Sequence, residues 1–349
     1  MLLSGLTKLE NKIGADENIL VVRQHNQIGD MLCSLTLYAA LKKKYPNSKI
    51  TLVAAKTNYE IPFFDINPFL DNVIVFDKQN LKTIFRFLMK LRRNKYQLGI
   101  VPSTIKLSRT SHIINYLSGA KIRVGVKSIS GGINKSHKLL NIKSAFLWKG
   151  LHQLERNLDI VRQIGCDLTE EDKRALKFDF SEQDIKAADE FLDTNFPDKT
   201  RKIIGFHPGA GKILNTWDTG KFIELIKKLY TQHNNYILIT SGWTDELVIK
   251  DVRKALDESN IMYSIVHNLS IKKLAAIISK INLYITNDTG AMHIAGFSDA
   301  TVLSLFGPTD PSEWSPIGKN KYFIKSGTEN INDITVDEVY NLSNKILEE

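Results

Sequence analysis

Three short runs in this 349-residue chain have the residue types and spacing that chemistry needs. The first, Gln27-Ile28-Gly29-Asp30, follows the apolar run Asn18–Arg23 and opens a helical pattern. Gly29 permits a tight turn and the close approach of a ligand. Asp30 falls in the first helical turn, where the macrodipole favours a carboxylate, and a carboxylate there can take a proton from an incoming hydroxyl. Helix capping alone would also account for an acid at this place.

The second run, His207-Pro208-Gly209-Ala210-Gly211-Lys212, follows the apolar run Lys202–Phe206. Converging amides of Gly209, Ala210 and Gly211, with the Lys212 ammonium, form a phosphate cradle. It is not a Walker A loop: five residues separate Gly205 from Gly211, and Ile213 stands where a magnesium-holding hydroxyl belongs. Leu214 and Asn215 occupy the place of the third glycine of a dinucleotide loop. In the third run, Thr286-Asn287-Asp288-Thr289-Gly290-Ala291-Met292-His293, the polar residues can cap a helix, and Gly290 leaves first-turn amides open to an anion. His293 reads equally as a packed helix histidine. Phe306–Pro311 is a rigid loop after a strand, where binding residues often sit.

All three runs stand at strand-to-helix junctions of a chain that alternates the two patterns from end to end. Strands are predicted at 18–23, 49–54, 72–76 and 97–101, with helices at 30–44, 81–93 and 108–118. Residues 125–150, with Gly131-Gly132 and scattered Lys, show no period and are expected to form a long loop. A second series begins with a helix at 181–195. Its strands are predicted at 202–206, 236–240, 283–286 and 301–305, and its helices at 219–231, 245–259, 271–280, 290–296 and 336–347. This is an α/β pattern of parallel βαβ units in two doubly wound domains, 1–175 and 176–349. The last helix is a candidate for packing back on the first domain. In such sheets ligands bind beyond the carboxyl ends of the strands.

Taken in order, the three runs make the chain resemble glycosyltransferase family 9, the heptosyltransferases of lipopolysaccharide assembly, from Ile19 to about Gly318. Arg23 with Ile28-Gly29-Asp30 looks like the opening βα unit. His207–Trp217 with Lys221-Phe222 looks like the donor phosphate segment, and Asn287–His293 and Phe306–Pro311, with Trp314 and Gly318, like the closing signature. The resemblance implies the GT-B arrangement of two facing Rossmann-like domains, acceptor on the first and nucleotide-sugar on the second. It implies an inverting enzyme that moves a heptose from ADP-heptose to a lipid-linked core saccharide, with no metal and no cofactor beyond the donor. Asp30 becomes the general base. Thr289, Gly290 and Ala291 hold the donor diphosphate and Asp288 faces the sugar. Asp245 or Glu246 takes the ribose, and residues around Asn268 line the base. One departure stands out: many members carry a basic residue two positions before the tryptophan, where this chain has Asn215 before Trp217. Lys212 is the nearby replacement. The same scaffold with another sugar and another nucleotide is the alternative.

Charge separates the chain into two parts. No acid occurs in 78–154, which holds 16 Lys and Arg, while the remainder carries 31 basic and 38 acidic residues. Such asymmetry marks an anionic partner. The segment lacks the aromatic–basic interleaving of a nucleic-acid module, and the glycine turns would then have no role, so no nucleic acid is expected. An anionic acceptor and a membrane surface fit better, with Gly29 and the lysines Lys127, Lys135 and Lys138 on the acceptor side. No apolar run approaches the ~18 residues of a membrane span. Lys8, Glu10 and Lys12 interrupt any signal core in Met1–Gly14. Cys33 and Cys166, both within apolar helical patterns, form no disulfide or zinc framework. The expectation is a cytoplasmic protein touching the inner leaflet peripherally.

Overall fold

The computed structural model describes residues 17–25, 27–57, 60–77 and 81–349, and only the backbone at 81–83; the stretch Met1–Gly14 lies outside the described residues. The chain divides into two compact units, Met1–Leu176 and Lys177–Glu349.

The first unit opens on β1 (Asn18–Val22), whose Ile19 to Val22 are fully buried, as befits a central parallel strand covered on both faces. The single helix expected at 30–44 is two helices, α1 (Ile28–Cys33) and α2 (Leu35–Lys44). Ser34 turns both its hydroxyl (2.6 Å) and its N–H (3.1 Å) onto the Met31 carbonyl, closing a tighter turn that interrupts the α ladder. There follow β2 (Lys49–Ala55), α3 (Phe63–Ile66), β3 (Asn72–Phe76), α4 (Leu81–Arg93), β4 (Leu98–Ile100) and α5 (Arg109–Leu117). Ser108 caps α5 by accepting the Ser111 N–H at 3.2 Å.

The long loop expected at 125–150 is instead the end of the sheet. β5 (Ile122–Ile129) turns through a hairpin into β6 (Gly132–Ile133), a 3₁₀ turn covers His137–Leu139, and β7 (Ile142–Phe146) returns parallel to β5. Ser130 and Gly131, both at positive φ (45° and 85°), make the hairpin turn. Two helices absent from the sequence reading complete the unit, α6 (Gln153–Arg162) and α7 (Glu170–Arg174). Cys166 lies beyond the end of α6, not within a helix; both cysteines are free and buried, and burial pushes the Cys166 thiol up to about 12. The strand order is β3-β2-β1-β4-β5-β6, with β7 also against β5. Right-handed crossovers put α1 and α2 on one face, where α6 packs on α2, and α4 and α5 on the other.

The second unit repeats the plan. After α8 (Glu182–Asn195) come β8 (Ile203–His207), α9 (Thr219–His233), β9 (Tyr236–Ser241), α10 (Glu246–Glu258), β10 (Tyr263–His267), α11 (Ile271–Ile278) and β11 (Leu283–Asn287). α12 (Gly290–Gly296), β12 (Val302–Phe306), α13 (Pro311–Trp314), β13 (Lys321–Lys325) and α14 (Val336–Glu348) complete it. The sheet, β10-β9-β8-β11-β12-β13, is parallel throughout; its edge strands β10 and β13 are additions to the sequence reading. α14 buries its apolar face within the second unit. There Val336, Val339 and Ile346 join Phe222 and Leu225 of α9 in the core. Trp217, fully buried, seats its ring edge-on to Phe222 and donates its indole N–H to the Ile334 carbonyl at 3.0 Å. Strand order reverses between β1 and β4 and again between β8 and β11, which opens a crevice at the carboxyl end of each sheet.

Candidate functional site

At the carboxyl edge of the second sheet, Asn287 ends β11 with its side chain fully buried. Its amide nitrogen donates to the carbonyls of Pro208 (3.0 Å) and Gly209 (3.2 Å), and its amide oxygen accepts the Trp217 N–H (3.1 Å). One side chain thus pins both ends of the glycine-rich loop to the neighbouring strand. Gly209 is required by close approach, since a Cβ there would lie 2.2 Å from the Asp245 carboxylate. Gly211 and Lys212 stand exposed at the loop's tip, Ala210 is half-buried, and a Cβ on Gly211 would meet open space.

Asp288 is half-buried beside this loop. Burial pushes its carboxyl above the usual range, while a hydrogen bond from Thr309 and the charge of Lys212 act in the opposite sense. Asn215 donates its amide to the Asp288 carboxylate at 2.8 Å and to the Asp288 carbonyl at 3.2 Å. The residue that breaks the family pattern therefore has a place of its own, holding the acid. Thr289 precedes α12 in an extended conformation and its side chain makes no cap hydrogen bond, so Asn287, Asp288 and Thr289 do not act as the side-chain caps that their types suggest. Ala291 is buried and Gly290 half-buried in the first turn. His293 is buried with its ring edge-to-face on Trp314 at 5.9 Å, a packing role.

Over β9 the two acids proposed for a ribose diverge. Asp245 is buried and accepts the Gly242 N–H at 2.7 Å and the Thr244 hydroxyl at 3.2 Å, with the His207 ring 3.6 Å away. Glu246 is exposed at the start of α10. Burial holds His207 below the usual histidine range, against the Asp245 charge and the Thr240 hydrogen bond. Asn268, at φ 53°, gives its backbone N–H to the Ser241 carbonyl (3.0 Å) and joins the ends of β9 and β10. Trp243 stands exposed beside His267 in the same loop cluster. Neither His207 nor Asn287 figured as a site residue in the sequence reading; the signal for both was their position as last residue of a strand.

In the first unit, β1 delivers Arg23 and α1 delivers Asp30, with Gly29 buried next to it. The Arg23 guanidinium lies 3.5 Å from the Asp30 carboxylate and donates to the Asn157 amide oxygen of α6 at 3.3 Å. Both residues are buried, so the carboxylate is aimed and held by a partner instead of floating in solvent. Gln27 makes no side-chain cap on α1. Lys127, Lys135 and Lys138 are exposed on β5, the turn after β6 and the 3₁₀ turn, and β5 is separated from β1 by β4. Lys143 is half-buried and spent on the carbonyls of His137 and Leu140.

The family model for glycosyltransferase family 9 (heptosyltransferase) matches residues 84–341. Lipopolysaccharide heptosyltransferase 3 of Escherichia coli is 23% identical over 308 residues, covering 84% of this chain and 84% of that protein. Lipooligosaccharide heptosyltransferase 2 of Haemophilus influenzae is 26% identical over 321 residues, 88% of each. Among solved structures, the Escherichia coli ADP-heptose lipopolysaccharide heptosyltransferase II matches with a TM-score of 0.75 at 21% identity, over 95% of this chain and 98% of that one. That likeness is one of fold, two parallel-sheet domains of the GT-B class. With the family match spanning well over half its length, the chain belongs to glycosyltransferase family 9 and is a glycosyltransferase.

Proposed function

We propose that the chain transfers a heptose from ADP-heptose to an anionic, lipid-linked saccharide of the lipopolysaccharide core, with inversion at the anomeric carbon and without a metal ion. The observation that carries this reading is the cluster at the carboxyl edge of the second sheet. There an exposed lysine loop is pinned by Asn287 against a half-buried Asp288 and the uncapped first turn of α12. Such a place suits a diphosphate bonded to a sugar: amides and Lys212 meet the phosphates, and Asp288 faces the hydroxyl-rich ring. The acceptor hydroxyl gives its proton to Asp30 as its oxygen bonds the anomeric carbon. The bond from that carbon to the diphosphate breaks, and the nucleoside diphosphate leaves with the electron pair. Lys212 and the amides stabilise the departing charge. The acid-free interval, which belongs to the first unit, supports an anionic acceptor and peripheral contact with the inner face of the cytoplasmic membrane.

The test is a panel of nucleotide-sugars assayed for binding and for turnover with a core-lipid acceptor, each with and without excess chelator. ADP-heptose should bind and turn over with the chelator present. Preference for another donor would replace the sugar while keeping the scaffold; activity lost to chelation and restored by magnesium or manganese would overturn metal-free transfer.

A further inference from the structure

The α4–α5 face of the first sheet carries an unusual outer surface. Phe87 and Leu91 of α4 and Ile114 of α5 share one apolar cluster with Leu20, Val22 and Ile74 of the strands. Arg92 of α4 donates to the Leu117 carbonyl of α5 at 3.0 Å, and the His112 ring of α5 meets the Asn134 amide after the β5–β6 hairpin at 2.9 Å. α4, α5 and the hairpin therefore form one continuous layer.

The outward side of that layer is not simply polar. Phe85 is 66% exposed and Met89, one turn on, 53% exposed; Ile133 at the end of β6 is 69% exposed. Ile113 and Tyr116 of α5 are exposed at helical spacing as well. Scattered apolar residues on a surface need no explanation, but these lie in paired helical stripes. Exposed cations sit beside them, Arg86 and Lys90 beside Phe85 and Met89, Arg93 at the end of α4, and Lys135 and Lys138 beyond the hairpin. The whole layer falls within the interval that has no acid.

We propose that this layer is a membrane-docking surface. Phe85 and Met89 enter the boundary between headgroups and acyl chains of an anionic bilayer, and Arg86, Lys90 and Arg93 hold its phosphates. Charge complementarity selects the bilayer as occupant: cations flanking an apolar stripe match anionic headgroups over hydrocarbon. A polynucleotide would explain the cations but leave Met89 and Ile133 without a purpose, since neither stacks on a base. The proposal rests on the membrane-acceptor reading for its direction, and deepens it by placing an apolar insertion beside the electrostatic attraction.

The experiment is vesicle co-sedimentation at low and high salt, with pure phosphatidylcholine and with phosphatidylcholine and phosphatidylglycerol in equal parts. Wild type, Phe85→Ser/Met89→Ser and Arg86→Gln/Lys90→Gln/Arg93→Gln are compared, with melting curves as a check on folding. Turnover on a water-soluble acceptor lacking acyl chains is measured in parallel. Wild type should prefer anionic vesicles and retain part of its binding at high salt. The apolar variant should lose about tenfold in partitioning, the factor expected for two partly withdrawn side chains. The charge variant should lose about a hundredfold at low salt and little at high salt. Both should turn over the soluble acceptor as wild type does. Unchanged vesicle binding by the apolar variant, equal binding of wild type to both lipids, or tighter binding of wild type to single-stranded RNA than to anionic vesicles would overturn the proposal. Failure of wild type to turn over the soluble acceptor would strike the proposed donor and acceptor alone, and the vesicle result would still decide the docking surface.

Discussion

At Asp288 the carboxyl is driven up by burial and drawn back by Thr309 and Lys212, while the Asn215 amide fixes its direction at 2.8 Å. The division of labour among these side chains follows from their exposure. Asn215 is buried and its donor capacity is spent on Asp288, whereas Lys212 is exposed with its ammonium available to a diphosphate. Lys212→Ala should therefore weaken nucleoside diphosphate binding by about 1.5–3 kcal/mol, the scale of a lost charge-assisted hydrogen bond. Calorimetric titration measures this directly, and an uncharged sugar should be affected far less. Asn215→Ala should change diphosphate affinity less than Lys212→Ala does; the opposite ranking would mean that the amide, not the ammonium, meets the phosphates. The sequence reading could see Asn215 only as a departure from a pattern. Its partner lies 73 residues away in the chain, and no local spacing reveals such a bond.

Among the histidines that the helices and strands bury, His112 and His207 resist protonation. Burial holds His112 low against its bond to the Ser108 carbonyl, and does the same to His207 against the Asp245 charge. A depressed histidine binds fewer protons in the folded than in the unfolded chain below the unfolded value of 6.5. Their contribution to stability is thus complete above that value and is lost as pH falls below it. Melting temperature should be flat above about pH 7 and decline between about pH 6.5 and 5. Carboxylates held low, such as Asp184 by the Ser181 hydroxyl, act in a separate window below 3.8. His112→Gln/His207→Gln should flatten the decline, and an unaltered slope would contradict the assignment. At this scale the central strands were legible because Ile, Leu and Val runs covered on both faces leave an unbroken apolar signature. The additions are mostly edge strands. Lys321–Lys325 has a lysine at each end, and Ile122–Ile129 interleaves Arg123, Gly125 and Lys127 with its apolar positions, so neither shows an unbroken apolar run. Pairing with a distant neighbour, not local composition, makes them strands.

For the whole molecule, each unit repeats a parallel sheet with its chemistry at the carboxyl edge, and this recurrence was readable from three glycine-bearing turns in order. The placement of Arg23 and Asn157 around Asp30 was not readable, because Asn157 of α6 meets the Arg23 guanidinium from 134 residues along the chain. No helix among the described residues is long and apolar enough to cross a membrane. In the proposed reaction Asp30 of the first unit removes the proton and the second unit binds the diphosphate. The most direct test is Asp30→Asn, with donor affinity measured by titration and turnover measured under conditions where chemistry limits the rate. Turnover should fall by roughly 10²–10⁴-fold with donor affinity unchanged. A variant that keeps more than half of wild-type turnover would contradict the central claim, as would one that loses donor affinity in step with activity.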